Sequence, residues 1–252
     1  MSLLTLTDLT VLRGICPVVD QATLAVASGE VVGLIGPNGA GKTTLMRAAL
    51  GLLPHGGRSS LDDIPAAQRA RNVAWLPQSR EIAWPVTVET LVMLGRVPHL
   101  SAGQRPSDAD RAAVTEALEA MDLITFRSRA ATELSGGEQA RVLIARALAQ
   151  QTPLILADEP VAGLDPGHQI ATMQAFRTLA AEGTATLVSL HDLGLAARHC
   201  DRLVLMDRGR IVAEGRPEFV LKRENLRDTF GITAHLSVGP DGLIFQPLET
   251  RR

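Results

Sequence analysis

Gly36, Gly41, Lys42 and Thr43 fall at the spacing G-x-x-x-x-G-K-T, and those residue types in that order suit the cradling of a phosphate chain. Gly36, Gly39 and Gly41 let the backbone take positive φ and approach phosphate oxygens with no Cβ in the way. The turn through Pro37, Asn38 and Ala40 then aims successive N–H groups, and the positive end of the helix running on from Thr44, at a β-phosphate. Lys42 would reach the β- and γ-phosphates as a point charge, and the Thr43 hydroxyl would take one position on Mg²⁺. A turn that only joined a strand to a helix would have no need of the Lys-Thr pair.

Other residues suited to chemistry stand at the ends of apolar runs. Asp158 and Glu159 close the run Leu154 to Ala157, and two carboxylates at a buried strand end are costly unless something uses them. Strand alternation predicts that they point to opposite sides, one toward a metal and the other toward an attacking water. His191 closes the run Thr184 to Leu190, at a strand's carboxyl end, where α/β sheets hold ligands. Ser135-Gly136-Gly137-Glu138 heads a helix, with Ser135 as its cap and Glu138 at the capping-box position. The two glycines leave that helix start bare, which reads either as a second anion site or as a loop and cap only.

The elements that must position these groups follow from hydrophobic period. Leu3 to Val26 alternates in two stretches separated by turn residues, predicting antiparallel strands; Val31 to Ile35 and Asn72 to Leu76 are apolar strands, the second placing Gln78 near its end. Pro54 to Arg71 reads as an irregular connection. From about 86 to 150 the period is helical: Val114, Ala117, Leu118 and Met121 share a face behind a Ser107–Asp110 start signal. This stretch is predicted to be a helical subdomain inserted in an α/β core, with about 220–252 as a C-terminal appendage carrying a hairpin from Leu236 to Phe245. Asp207 to Arg210 marks another hairpin.

Composition sets the class. The 252 residues, 46% apolar, can fill one large domain. Twenty-five basic against 27 acidic residues give a net charge of −2, so no global field draws the chain to nucleic acid or to an anionic membrane. Cys16 and Cys200 lack metal or disulfide spacing and are expected to be packed, reduced thiols. No leader pattern opens the sequence and no run of about eighteen apolar residues interrupts it, which predicts a chain that neither crosses a membrane nor is exported.

In this order the motifs resemble the nucleotide-binding subunit of ATP-binding cassette transporters, across roughly residues 4 to 220. The resemblance takes Gly36 to Thr44 as the phosphate loop, Gln78 as the glutamine-loop residue, and Leu134 to Gln139 as the signature. It takes Asp158 and Glu159 as metal-side and catalytic carboxylates, Asp165 as a dimer-contact residue and His191 as the switch histidine. It implies ATP and Mg²⁺, the metal held by Thr43, Gln78 and Asp158, in a P-loop NTPase core with an antiparallel β subdomain and a helical subdomain. It further implies a head-to-tail homodimer in which Ser135, Gly136, Gly137 and Glu138 face the partner's nucleotide. The family often stacks adenine on an aromatic residue; this chain has no Tyr, and Arg13 stands near that place, where a guanidinium can stack instead. Separate integral membrane permease subunits, indirect service to a periplasmic substrate-binding protein, no nucleic acid, and a place on the cytoplasmic face of the inner membrane are expected. Trp84-Pro85-Val86-Thr87 and Gly95-Arg96-Val97-Pro98-His99 look most like importers of iron chelates, haem or cobalamin, with zinc or manganese importers, or a soluble cassette ATPase outside transport, as alternatives. Trp84 is read as a permease-docking residue or a core tryptophan.

Overall fold

The computed structural model describes residues 1–79, 81–239 and 242–250. The chain opens on an antiparallel pair, β1 (Ser2–Arg13) and β2 (Cys16–Ala27), whose buried Leu4, Leu6, Leu24 and Val26 alternate with exposed neighbours. β3 (Val31–Ile35) is buried at every position and runs through the phosphate turn into α1 (Lys42–Ala49). The connection expected to be irregular holds more structure than its sequence suggests. β4 (Gly56–Ser59) pairs with the free edge of β1, and α2 (Ala66–Asn72) follows. A Gly-Gly-Arg-Ser strand has no apolar pattern to announce it; the waiting edge of β1 supplies its partner.

The remaining strands are β5 (Val73–Leu76), β6 (Leu154–Asp158), β7 (Ala185–Ser189), β8 (Arg202–Asp207) and β9 (Arg210–Gly215). With β3 they form a six-stranded sheet in the order β5-β6-β7-β3-β8-β9, parallel except for the edge strand β9. Strand alternation divides the core in two. Val32, Leu34, Leu154 and Leu156 pack with α1 and the β1–β2 pair, whereas Val31, Ile35, Ile155 and Ala157 pack with the helices of the other layer. Burial on both faces is why these strands read as unbroken apolar runs. Because β5, β6, β7 and β3 are parallel neighbours, the residues that follow their carboxyl ends, Gln78, Glu159, His191 and Gly36, lie along one edge of the sheet.

The helical layer comprises α3 (Val88–Met93), a 3-10 segment (Leu94–His99), α4 (Asp108–Ala120) and α5 (Gly136–Ala149). α4 starts at the Ser107–Asp110 capping box, and Val114, Ala117, Leu118 and Met121 are buried on its inner face. The Gly-Arg-Val-Pro-His run is a staple on the far end of α5. Arg96 is 7% exposed and donates to Asp110 Oδ1 (2.9 Å), the Ala149 carbonyl (2.8 Å) and Gln151 Oε1 (3.0 Å), and His99 Nε2 pairs with the Gln150 carbonyl (2.7 Å). A guanidinium at a helix C-terminus satisfies a carbonyl that would otherwise be orphaned and complements the helix dipole. A Cβ on Gly95 would come within 2.2 Å of the Arg146 carbonyl, so glycine is what lets the 3-10 segment pass so close to α5.

α6 (Pro166–Ala181) and α7 (Leu193–His199) add to that layer, and the antiparallel hairpin of β10 (Ile232–Gly239) and β11 (Gly242–Thr250) packs on α7. It is longer than the expected Leu236–Phe245 hairpin; residues 240–241 lie outside the described residues. The cysteines also differ from expectation. Cys16 lies exposed beside the β1–β2 turn, and only Cys200 is packed, its thiol pushed up to about 12 chiefly by burial. Among the described residues no helix is long and apolar enough to cross a membrane.

Candidate functional site

The turn from β3 to α1 is shaped by steric necessity at its two ends. Gly36 (φ 150°) lies so close to β8 that a Cβ would meet the Met206 carbonyl at 2.2 Å, and a Cβ on Gly41 (φ 101°) would meet the Val18 carbonyl at 2.7 Å. Gly41 caps α1 and makes no side-chain cap hydrogen bond, so the cap position itself satisfies none of the helix's first N–H groups through a side chain. Lys42 is 6% exposed and folds back over the turn, donating from Nζ to the carbonyls of Gly36 (2.8 Å) and Pro37 (3.1 Å). Burial pushes its ammonium below the ordinary value, with the charges of Glu159 and Asp158 pulling the other way. Asn38 and Gly39 are exposed, Ala40 is buried, and Thr43 and Thr44 are half-buried.

These residues line a cavity of about 560 Å³. Asn38 to Thr44 form its floor, Gln78 and Glu159 close one side, and Val11, Leu12, Arg13 and Val18 of the β1–β2 pair form another wall. Arg47 also lines it and was missed by the sequence reading, although its place one turn after Thr43 on the same helix face was a sufficient signal.

Asp158 ends β6 at 1% exposure. Its Oδ1 accepts from the Ser189 hydroxyl at 2.6 Å, directly across the β6–β7 register, while Oδ2 is buried with no hydrogen-bond partner. Glu159 departs from the expected alternation. With φ at 51° it has left the extended conformation, so the opposite-sides argument does not reach it. Its N–H donates to Ser189 Oγ (2.9 Å), its Oε2 accepts from Gln78 Nε2 (2.8 Å), and its Oε1 accepts from His191 Nε2 (2.5 Å). The sheet thus brings Gln78, Glu159 and His191 into contact around one carboxylate.

The signature stretch stands apart. Ser135 caps α5, its Oγ accepting from the Glu138 N–H (3.3 Å) while Glu138 Oε2 accepts from the Ser135 N–H (2.8 Å). That reciprocal bond holds the Glu138 carboxyl below its usual range. None of Ser135, Gly136, Gly137 and Glu138 lines the phosphate-loop cavity. A Cβ on Gly136 would meet nothing within 4 Å, and one on Gly137 only the Leu164 side chain at 3.8 Å. Asp165 is likewise outside the cavity, capping α6 through the His168 N–H (3.1 Å) and paired with the His168 ring. Trp84 is 74% exposed, which removes the core-tryptophan reading.

An ABC transporter family profile matches residues 19–162. The chain belongs to that family. The cassette is 43% identical over 245 residues to a hemin import ATP-binding protein of Pseudomonas aeruginosa, covering 93% of this chain and 94% of the relative. It is 42% identical over 231 residues to a cobalamin import ATP-binding protein of Halobacterium salinarum, covering 89% of this chain and 57% of the relative. It superposes with a TM-score of 0.74 and 26% identity on a dimeric ATP-binding cassette in a post-hydrolysis state bound to ADP and Pi, covering 85% of this chain and 98% of that one. The cassette is accordingly an ATPase of the P-loop NTPase fold, an ATP-binding subunit of an ABC transporter.

Proposed function

We propose that two copies of the cassette close head to tail on ATP and drive import of an iron chelate, haem or cobalamin through separate integral membrane permease subunits. The observation that carries the pairing is the bare start of α5. Among the described residues nothing comes within 4 Å of a Cβ at Gly136, and Gly136 and Gly137 put two N–H groups at a helix N-terminus that is not part of the lining of the chain's own cavity. A second copy's γ-phosphate is the group such a surface suits.

In this reading the phosphate loop, Gly36 to Thr44, holds the β- and γ-phosphates, with Lys42 exchanging its two carbonyl partners for phosphate oxygens. Arg13 stacks on adenine. The chemistry of the donors fits Mg²⁺: Asp158 Oδ2 is an orphaned buried oxygen, and with the Thr43 hydroxyl and Gln78 amide oxygen it makes a small all-oxygen set of the kind Mg²⁺ takes alongside substrate phosphates. When bound, the ion neutralises charge on the transferring phosphoryl group. Glu159 gives up a hydrogen bond from Gln78 or His191 to accept one from water. As a water proton passes to Glu159, the water oxygen bonds to the γ-phosphorus and the bond from that phosphorus to the bridging oxygen breaks, the bridging oxygen leaving on ADP and phosphate being released. His191 steadies the carboxylate and the γ-phosphate end, Ser135 to Glu138 act on the partner's nucleotide, and Asp165 lies at the contact between copies.

Residues 86–150 are the inserted helical subdomain and 220–252 the appendage in this scheme. Exposed Trp84 anchors the permease, as large aromatic side chains do at interfaces. The pair would sit at the cytoplasmic face of the inner membrane and serve a periplasmic binding protein only through the permease. The names of the hemin and cobalamin import relatives support the cargo class. Deleting the gene tests it: growth should fail when haem or an iron chelate is the only iron source, or when cobalamin is limiting, and survive zinc or manganese limitation. The opposite pattern would overturn the cargo, and failure to co-purify with any integral membrane protein would overturn the transport role.

A further inference from the structure

Ser189 is 0% exposed and lies opposite Asp158 in the register of β6 and β7. Its hydroxyl is used in both senses: Oγ–H donates to Asp158 Oδ1 at 2.6 Å, and Oγ accepts from the Glu159 N–H at 2.9 Å. We propose that Ser189 is a positioning residue for hydrolysis, one hydroxyl fixing the Asp158 carboxylate and the Glu159 backbone. The inference rests on the reading of Asp158 as a metal-binding residue given above.

The argument is one of satisfying buried groups. A carboxylate at 1% exposure must have its oxygens met by donors or a cation. With Ser189 holding Oδ1, rotation about the Asp158 side chain is checked and Oδ2 is left as the oxygen offered to a cation. Without the hydroxyl both oxygens would need partners, and the carboxylate would turn toward whatever donor lay within reach. The second bond acts on the backbone. Glu159 sits at φ 51°, a region in which a non-glycine residue is strained. The hydroxyl that accepts its N–H helps hold the turn that sends the Glu159 side chain back toward Gln78 and His191. Buried hydroxyls on β7 do not always find such use: Thr186, on the same strand and equally buried, has no partner for Oγ1.

The test is Mn²⁺ binding, followed by electron paramagnetic resonance on the full chain holding a non-hydrolysable ATP analogue. Ser189→Ala is expected to weaken Mn²⁺ binding about tenfold, as loss of an outer-shell partner to a ligand does. Affinity for the analogue in EDTA should stay within about twofold, and kcat should fall about tenfold at unchanged KM, the pattern of an interaction felt in the transition state. The isosteric pair Ser189→Thr and Ser189→Val isolates the hydroxyl: Thr should retain most of the Mn²⁺ affinity that Val loses. Unchanged Mn²⁺ affinity in Ser189→Ala, or equal loss in Thr and Val, would overturn the proposal. Asp158→Ala run in parallel separates the two claims. If it loses Mn²⁺ while Ser189→Ala keeps it, only the role of Ser189 falls; if Asp158→Ala binds Mn²⁺ normally, the metal reading falls and the proposal with it.

Discussion

Gln78 and Glu159 are 81 residues apart in the chain and are joined by a hydrogen bond of 2.8 Å from the Gln78 amide to Glu159 Oε2. Gln78 lies on the segment leading from β5 toward α3, the first helix of the helical layer, and Glu159 lies at the end of the neighbouring strand β6. The bond ties Glu159 to the segment on which exposed Trp84 lies six residues further on.

Glu159→Gln is expected to keep ATP binding and to lower turnover by about a thousandfold, within the range for removal of a general base. ATP should then hold two copies together. Gel filtration with and without ATP measures this, and a monomer with normal turnover would contradict the assignment.

Lys42→Ala should weaken ATP binding and hydrolysis together, because the lost charge serves the ground-state phosphates as well as the transition state. A tenfold or greater rise in Kd, about 1.4 kcal/mol or more, is the expected calorimetric result. Normal affinity with slow turnover would instead place Lys42 away from the bound phosphates.

Ser135→Arg should leave ATP binding by the single chain intact and abolish turnover, the damage falling on the partner's nucleotide. Mixed with Lys42→Ala, it should form dimers with one doubly damaged site and one free of both changes. Vanadate trapping of nucleotide at a single site should reappear in the mixture; its absence would argue against head-to-tail pairing.

Asp110→Ala should destabilise the fold by about 3 kcal/mol, since removing one partner of a buried ion pair strands the other, and Arg96 and Asp110 are 8% and 7% exposed as side chains. Hydrogen bonds from Ser107 and then Arg96 hold the Asp110 carboxyl at about 2, below its ordinary 3.8. A depressed carboxylate stabilises the folded state above its unfolded value, and that contribution is lost as pH falls from about 3.8 through 2. Thermal melts at pH 2 to 6 should show the wild-type advantage over Asp110→Ala shrinking across that window.

Much of the fold was legible because local and global signals agree. The capping boxes at Ser107–Asp110 and Ser135–Glu138 start their helices where the residue types say they should, and the unbroken apolar runs of β3, β6 and β7 are the strands buried on both faces. What escaped depends on partners distant in sequence. β4 exists because the edge of β1 is open to it. Arg96 reads only as part of an importer-like run until Asp110 and the end of α5 are placed around it. Glu159 leaves the extended conformation at φ 51° with its N–H donated to a hydroxyl 30 residues away, a contact no period in the sequence announces.

The open space around Gly136 has a practical corollary for large-scale mutagenesis. A Cβ there meets nothing, whereas one at Gly95 strikes a carbonyl at 2.2 Å. A variant library scored by abundance alone would rank position 136 among the freely replaceable sites and position 95 among the intolerant ones. Scored by transport, both would be depleted, and the gap between the two rankings would mark residues whose neighbours belong to another molecule.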